Sequence, residues 1–497
     1  VATPPGTGGI AVLRLSGTGA AVLMDPLFCP LPRFLDRLRA EAPVSSMEGY
    51  TCAVGDIRDP ADGSLVDQVV LARFAAPHSF TGEDVVEMSC HGGPAVQRSL
   101  LALVVRQGAR PAGPGEFTRR AFLNGKMDLL QAEAVADLIA AEAEASARAA
   151  AGRMDGALSR EIRSVSDLLY ALLARLELAV EFPEHEEGDR SPPDAARILS
   201  EARSRLEALA ATYRHGRLLQ DGLCTVIAGR PNTGKSSLLN RLAGEERAIV
   251  TEVAGTTRDT IEARLSLDGF PVRLVDTAGI RRTEDPVERL GVARTRKALE
   301  TADLLLWVEA LEEGDAVSGN APAGSPQDGD MPAGEAPAGK MPAGDVPAGP
   351  DPFGEVLADA RNRGVPVILV AGKADRPDSF DPAREDIRQA LAAGVPVVRF
   401  SAETGEGMDE LLSHIRSRFA DGRPSGNPAL LSSLRHYEAA RHASDDLAEA
   451  LERLDHLPPD LVSTLVRSAL ESLAALTGDR VDDTLVDTLF SRFCVGK

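Results

Sequence analysis

Cysteine pairs, long apolar runs and a surplus of basic residues are missing from this sequence, and each absence argues against a class of protein. The five cysteines, Cys29, Cys52, Cys90, Cys224 and Cys494, are scattered and form no C-x-x-C pair. That speaks against a disulfide framework or a zinc knuckle and for a reducing cytoplasm. No apolar run approaches the roughly 18–20 residues of a membrane span, so no membrane partner is expected. No basic region followed by a long apolar one opens the chain, so no secretory signal is read there. The chain begins on Val1 rather than Met, which leaves room for a few residues ahead of it. The net charge is −21. Broad, nonspecific nucleic-acid binding needs cationic surface to release counterions, so that class is disfavoured, although a local basic patch is not.

What is present is the composition of a globular protein, 43% hydrophobic and 26% charged over 497 residues. That length suits about two to four domains, each with its own core. Residues 1–118 read as mixed α and β: "IAVLRLSG" and "DQVVLARF" are strand-like, and "PAVQRSLLALVVRQG" has helical spacing with Gly108 as a stop. Residues 119–217 turn helical, with "LLQAEAVADLIAAEAEASARAAAGRM", the amphipathic "SVSDLLYALLARLELAVEF", the polar loop "PEHEEGDRSPPD" and a further helix to Tyr213. Residues 218–420 alternate strands and helices, including two strands around an Asp268-Gly269 hairpin turn. "ADLLLWVEA", "VPVILVAG" and "VPVVRFSA" are short apolar strands of the buried-sheet kind. Residues 421–497 are helical again and carry the terminal "CVGK". The expected architecture is therefore multidomain: an α+β N-terminal domain, then a helical domain interrupted by an α/β domain. Between Leu311 and Asp351 "PAG" recurs five times, and large apolar residues are few. Such a segment cannot repay its ordering entropy and is expected to be a disordered surface insert.

The chemistry begins at "AGRPNTGKSS", where Gly229 to Ser236 fit G-x-x-x-x-G-K-[ST] after a strand and before a helix. Gly229 and Gly234 permit tight turns, so that backbone N–H groups cradle phosphates at a helix N-terminus. Lys235 sets a point charge near the β and γ phosphates, and Ser236 offers a hydroxyl to Mg²⁺. Two companions follow in order. In "AGTTRDT", Thr257 can complete the Mg²⁺ shell; in "DTAG", Asp276 ends a strand and Gly279 offers an N–H to the γ phosphate. This set resembles the translation-factor-like GTPases with their Ras-like fold. "GKAD" stands where that superfamily usually has N-K-x-D, so Gly372 removes a polar tie worth about 1 kcal/mol. Asp375 keeps its capacity to accept from the guanine N1 and N2 donors. "SAE" from Ser401 resembles the loop whose backbone reads guanine O6. The resemblance implies a GTP-binding set of Asn232, Thr233, Gly234, Lys235, Ser236, Ser237, Thr251, Thr256, Thr257, Asp276, Thr277, Ala278, Gly279, Lys373, Asp375, Ser401 and Ala402. Ile280 follows "DTAG" where Ras-like enzymes place Gln, so another group must hold the attacking water. Glu284, Asp285 and Glu288 lie just downstream.

Beyond the central module, "ATPPGTGGIAVLRLSG", "SFTGEDVVEMSCHGGP", "PGEFTRRAFLNGKMDLLQAEAVADLI" and "FCVGK" are similar to signatures of the MnmE (TrmE) family of tRNA-modification GTPases. The likeness covers nearly the whole chain apart from the Pro-Ala-Gly segment. It implies an N-terminal domain that binds 5-formyltetrahydrofolate or a related one-carbon folate and forms a homodimer, with Arg14, Glu87, Lys126 and the terminal Lys497 at the folate. It implies a GTPase in which K⁺, held by Asn232, Thr251, Val253 and Thr256, replaces an arginine finger, while Glu288 orients water. It further implies an FAD-binding partner subunit in a heterotetramer-type complex and tRNA as substrate, with a carboxymethylaminomethyl or aminomethyl group placed at C5 of the wobble uridine. Two departures stand out: "CVGK" replaces the commoner C-I-G-K, and Thr7 replaces a cation of the family's G-R-G-G. Cys494 is open between a reactive thiol and a buried packing residue. Two rival functions share parts of the pattern: a regulatory GTPase of ribosome assembly, and a folate-binding scaffold whose GTPase has decayed.

Overall fold

The computed structural model describes residues 1–32, 43–181, 192–230, 232–245, 261–267, 269–276, 295–310, 352–375, 384–420, 429–454, 456, 458–479, 489–491 and 493, the side chains of 245, 261, 262, 276, 352 and 420 excepted. The chain divides into two compact units, Val1–Gln220 with Gly422–Lys497, and Asp221–Asp421.

The first unit opens with a five-stranded antiparallel sheet of order β1-β5-β4-β3-β2. Its strands are β1 (Ile10–Ser16), β2 (Phe28–Pro30), β3 (Thr51–Arg58), β4 (Leu65–Phe74) and β5 (Val85–His91). Alternation fixes its faces: Ala11, Leu13 and Leu15 are buried in the core with Met88, Leu100 and Leu103, whereas Arg14 looks the other way. In the register, Arg14 stands directly opposite Glu87.

The same unit holds a helical bundle made from both ends of the chain. Helices Ala157–Glu181, Ala195–Ala211, Leu434–Glu452 and Pro459–Thr477 share one core, in which Leu172, Leu206, Leu447 and Leu473 are fully buried. Burying each such Leu contributes roughly 1.5–3 kcal/mol. The Ala-rich run breaks into two helices, Leu129–Ala140 and Glu144–Met154, because Ala141 adopts an extended ψ of 119°. No Gly or Pro marks that break, so packing overrides the helix propensity of Ala. Helix Leu129–Ala140 does start on a local signal, a capping box in which Asp128 accepts from the Gln131 N–H at 2.9 Å. The helix before the second unit is also split, at Thr212, whose hydroxyl turns to the Leu209 carbonyl at 2.7 Å. That hydroxyl also accepts the Leu431 N–H at 3.0 Å, which ties the chain leaving for the second unit to the chain returning from it.

The second unit is a six-stranded sheet of order β11-β10-β9-β6-β8-β7. Its strands are β6 (Leu223–Ala228), β7 (Ile261–Leu267), β8 (Phe270–Asp276), β9 (Leu304–Ala310), β10 (Val367–Gly372) and β11 (Val397–Phe400). All neighbours run parallel except the β7–β8 hairpin, and β6 and β10 are buried throughout. Parallel strands covered on both faces account for their continuous apolar sequences. The unit is a mostly parallel α/β sheet, as the alternating pattern predicts. The Pro-Ala-Gly segment lies outside the described residues.

Candidate nucleotide and one-carbon sites

Open α/β sheets bind ligands beyond the carboxyl ends of their strands, and in the second unit Gly229, Asp276, Gly372 and Ser401 stand at the ends of the parallel strands β6, β8, β10 and β11. Leaving β6, the chain turns at Gly229, with φ of +146°; a Cβ at this position would stand 2.0 Å from the Val308 carbonyl oxygen of β9. Only glycine allows this approach. Asn232 takes the left-handed φ of 61°, which Asn tolerates better than most residues. Thr233 donates its hydroxyl to the Arg230 carbonyl at 2.9 Å, and Lys235 donates to the Gly229 carbonyl at 3.0 Å and to that of Arg230. Helix Lys235–Glu245 follows, with Ser236 and Ser237 exposed on its first turn, at the end of a helix where backbone N–H groups can meet an anion.

The strand end that carries "GKAD" lies close by. A Cβ on Gly372 would come within 3.1 Å of the Thr233 carbonyl, so the end of β10 touches the phosphate loop. Lys373 has a φ of 63°. Asp375 is exposed, and its Oδ1 accepts from the hydroxyl of fully buried Ser401 at 2.7 Å. Ser401 in turn accepts the N–H groups of Glu403 and Thr404 at 3.2 Å. Ala402 follows Ser401 in the same turn. The arrangement holds one oxygen of an exposed carboxylate in place at the end of the strand.

In the first unit, the Arg14 guanidinium donates to Glu87 Oε1 at 2.7 and 2.6 Å and lies 5.5 Å from the Phe80 ring centroid and 5.6 Å from that of Phe117. Charge, an acceptor and two flat apolar faces thus meet at one place. Lys126 donates to the Pro77 carbonyl at 3.0 Å, and its stem runs beside Gly82, within the loop that carries Phe80. Phe490 and Phe493 of the C-terminal stretch pack with Phe122, Met127 and Leu129 next to helix Glu116–Leu123, which bears Phe117.

Two family models match the chain: "GTP-binding protein TrmE N-terminus" over residues 1–126 and "MnmE helical domain" over residues 129–494. The proteins named tRNA modification GTPase MnmE from Geobacillus thermodenitrificans and Heliobacterium modesticaldum are each 39% identical over 504 residues, covering 100% of this chain and 98% of theirs. The protein of that name from Carboxydothermus hydrogenoformans is 38% identical over 500 residues, with the same coverage. The chain belongs to the MnmE family.

Within this MnmE chain, several residues singled out from sequence lie outside the described residues: Thr251, Val253, Thr256, Thr257, Thr277, Ala278, Gly279, Glu288, Cys494 and Lys497. Asp276 is described only by its backbone, opposite Ile227 at the end of β8. Arg14 and Glu87, picked out one by one, are a single ion pair.

The MnmE fold also presents residues that sequence reasoning missed. Glu309, near the end of β9, is buried, and its carboxyl accepts from the Trp307 indole N–H at 3.2 Å. Arg384 and Arg230 stand 3.5 and 3.9 Å from its other oxygen, so a buried carboxyl sits directly behind the phosphate loop. Burial pushes its pKa up, and the Arg230 charge opposes that rise. No motif announces Glu309; the only sequence signal is an acid within an otherwise apolar strand. Beside the Arg14 site, Glu116 binds Arg110, Arg120 and the Gly113 N–H, while Arg120 reaches on to Glu83 at 2.8 Å. Burial opposes ionisation of Glu116, yet these donors outweigh it and hold the pKa at about 2. This network braces the loop that carries Phe80.

Proposed function

We propose that this chain, a GTPase of the MnmE family, hydrolyses GTP to drive modification of tRNA at C5 of the wobble uridine, as a cytoplasmic homodimer working with an FAD-binding subunit. The observation that carries the nucleotide part is Asp375, exposed and oriented by Ser401 at a strand end that touches the phosphate loop. The tRNA part is supported by likeness over the whole chain to proteins named for that activity.

In this reading, the loop amides and Lys235 bind and orient the triphosphate. The Lys235 ammonium exchanges the Gly229 and Arg230 carbonyls for phosphate oxygens. Ser236, exposed at the helix start, suits Mg²⁺, with Thr257 as its companion. Asn232, with Thr251, Val253 and Thr256, would hold K⁺, which would supply positive charge beside the phosphates. Glu288 orients the attacking water. Arg14, Glu87, Phe80 and Phe117 fit a flat, hydrogen-bonding ring system, with Lys126 and Lys497 meeting its carboxylates. A reduced folate there would supply one carbon, and glycine or ammonium the amine. Cys494 acts as the thiol of the tail.

Nucleoside analysis of tRNA from cells lacking this chain tests the reading. The C5 adduct should disappear from wobble uridine and return with the intact gene. Unchanged tRNA would leave the ribosome-assembly GTPase as the better reading. Separately, turnover should be much faster in K⁺ than in Na⁺ at matched ionic strength, and equal rates would remove the cation from the mechanism.

A further inference from the structure

Two consecutive residues of β9 grip two consecutive residues of the phosphate loop. In the sheet register Ala228 pairs with Trp307, so the two strands, carried on by two places, set Gly229 level with Val308 and Arg230 level with Glu309. The Val308 carbonyl oxygen fills the place that a Cβ on Gly229 would need. The buried Glu309 carboxyl has Arg230 Nε 3.9 Å from Oε1 and Arg384 Nη2 3.5 Å from the same oxygen. Arg384 is itself fixed, because it donates to the Ala310 carbonyl at 2.7 Å and pairs with Asp386 at 3.2 Å. The Trp307 indole N–H holds Glu309 Oε2 at 3.2 Å. A fixed anion thus stands between a fixed cation and the half-exposed side chain of Arg230.

We propose that Glu309 is a positioning residue for guanine-nucleotide binding: through Arg230 it holds the first turn of the phosphate loop in place. The Arg230 carbonyl is where that turn closes, since it accepts the Thr233 hydroxyl at 2.9 Å and the Lys235 ammonium. When Lys235 turns to phosphate oxygens, this carbonyl gives up its charged partner, and the Glu309–Arg230 pair remains to fix residue 230. Stability alone does not call for a charge here, because a buried ion pair is often no better than apolar packing of the same volume. A loop already held in its binding form loses less freedom when the ligand arrives, and that saving appears as affinity. The inference rests on the nucleotide part of the proposed function and not on the tRNA part.

The test measures the affinity of the full-length chain for GDP, by competition with a fluorescent GDP, alongside the melting temperature without nucleotide. Glu309→Gln keeps the shape of the side chain and an acceptor for Trp307 but removes the charge. It and Arg230→Gln should each weaken GDP about tenfold, and the double variant no more than either, because both single changes remove one and the same interaction. Arg230→Lys keeps the charge and should recover most of the affinity. Arg384→Gln should lower the melting temperature with GDP binding in place, since Arg230 keeps its anion. A role in packing alone gives a different pattern: Glu309→Gln melts earlier but binds GDP as before, or the two losses add, and either result overturns the proposal. So does a loss in Arg384→Gln equal to that in Arg230→Gln. Should Glu309→Gln fail to fold, the half-exposed Arg230 carries the comparison, and equal affinities for Arg230→Gln and Arg230→Lys overturn the proposal. An unaltered chain that takes up no GDP would remove the nucleotide reading together with this one, whereas equal binding by every variant removes only the role of Glu309.

Discussion

Replacing Asp375 by Ala should weaken GTP and GDP binding by about two to three orders of magnitude and erase the preference for guanine over adenine. Two charge-assisted hydrogen bonds to the base are lost, each worth roughly 1.5–3 kcal/mol. The carboxylate is exposed and touches the protein through Ser401 Oγ at 2.7 Å, so its removal leaves little packing behind. Binding therefore drops far more than the melting temperature without nucleotide, which falls only by the bond that buried Ser401 loses. Ser401→Ala should cost less, about tenfold, because it frees the carboxylate without deleting it. Titration with GDP and competition with ATP read both effects. If ATP competes with the unaltered chain as well as GTP does, the base is read elsewhere.

Gly229→Ala should be among the most damaging small changes in the second unit. Its Cβ would lie 2.0 Å from a backbone oxygen of β9, at a φ of +146°. Neither strand can retreat, since β6 and β9 are hydrogen-bonded neighbours in the middle of the sheet. A loss of about 3 kcal/mol or more is expected, with nucleotide binding lost as well. Gly234→Ala separates strain from collision: its φ is +98°, but nothing lies within 4 Å of the added carbon. It should cost only the backbone term, about 1–2 kcal/mol. Thermal unfolding of the two variants decides this; equal shifts would mean that the contact with Val308 is not what demands glycine at 229.

The phosphate loop, the β7–β8 hairpin and the strands of the second unit were legible in sequence because each is encoded locally, by glycine spacing, a turn dipeptide or an apolar run. The bundle helices were legible from their period. The break at Ala141 was not, since its residues favour helix and only the tertiary packing decides against it. The short strand Phe28–Pro30 has too few residues to display an alternation. At the sites, Lys235 and Asp375 were marked by motifs. Glu309 was not, because its importance comes from Arg230 and Arg384, which are brought to it from distant positions. Gly115, where an added Cβ would stand 2.8 Å from the Phe493 Cβ and 2.9 Å from the Phe490 carbonyl oxygen, likewise meets partners more than 370 residues away in the sequence. A glycine followed by a helix is too common a pattern to reveal such a partner.

The bond between Thr212 and Leu431 spans 219 positions of the chain, and this has a consequence for how the protein is made. A ribosome adding about 5–20 residues per second needs roughly 10–40 s to synthesise the stretch between them. Through that interval the helices Ala157–Glu181 and Ala195–Ala211 are complete, but their partners Leu434–Glu452 and Pro459–Thr477 do not yet exist. Leu172, Leu206 and their neighbours must wait as an uncovered apolar face while the whole second unit emerges and folds. The nascent chain is therefore most in need of a chaperone during synthesis of the GTPase unit, although that unit can satisfy its own core. Slow codons within residues 221–421 would lengthen the exposure of the helical half and lower the yield of folded protein, without altering any residue of either site.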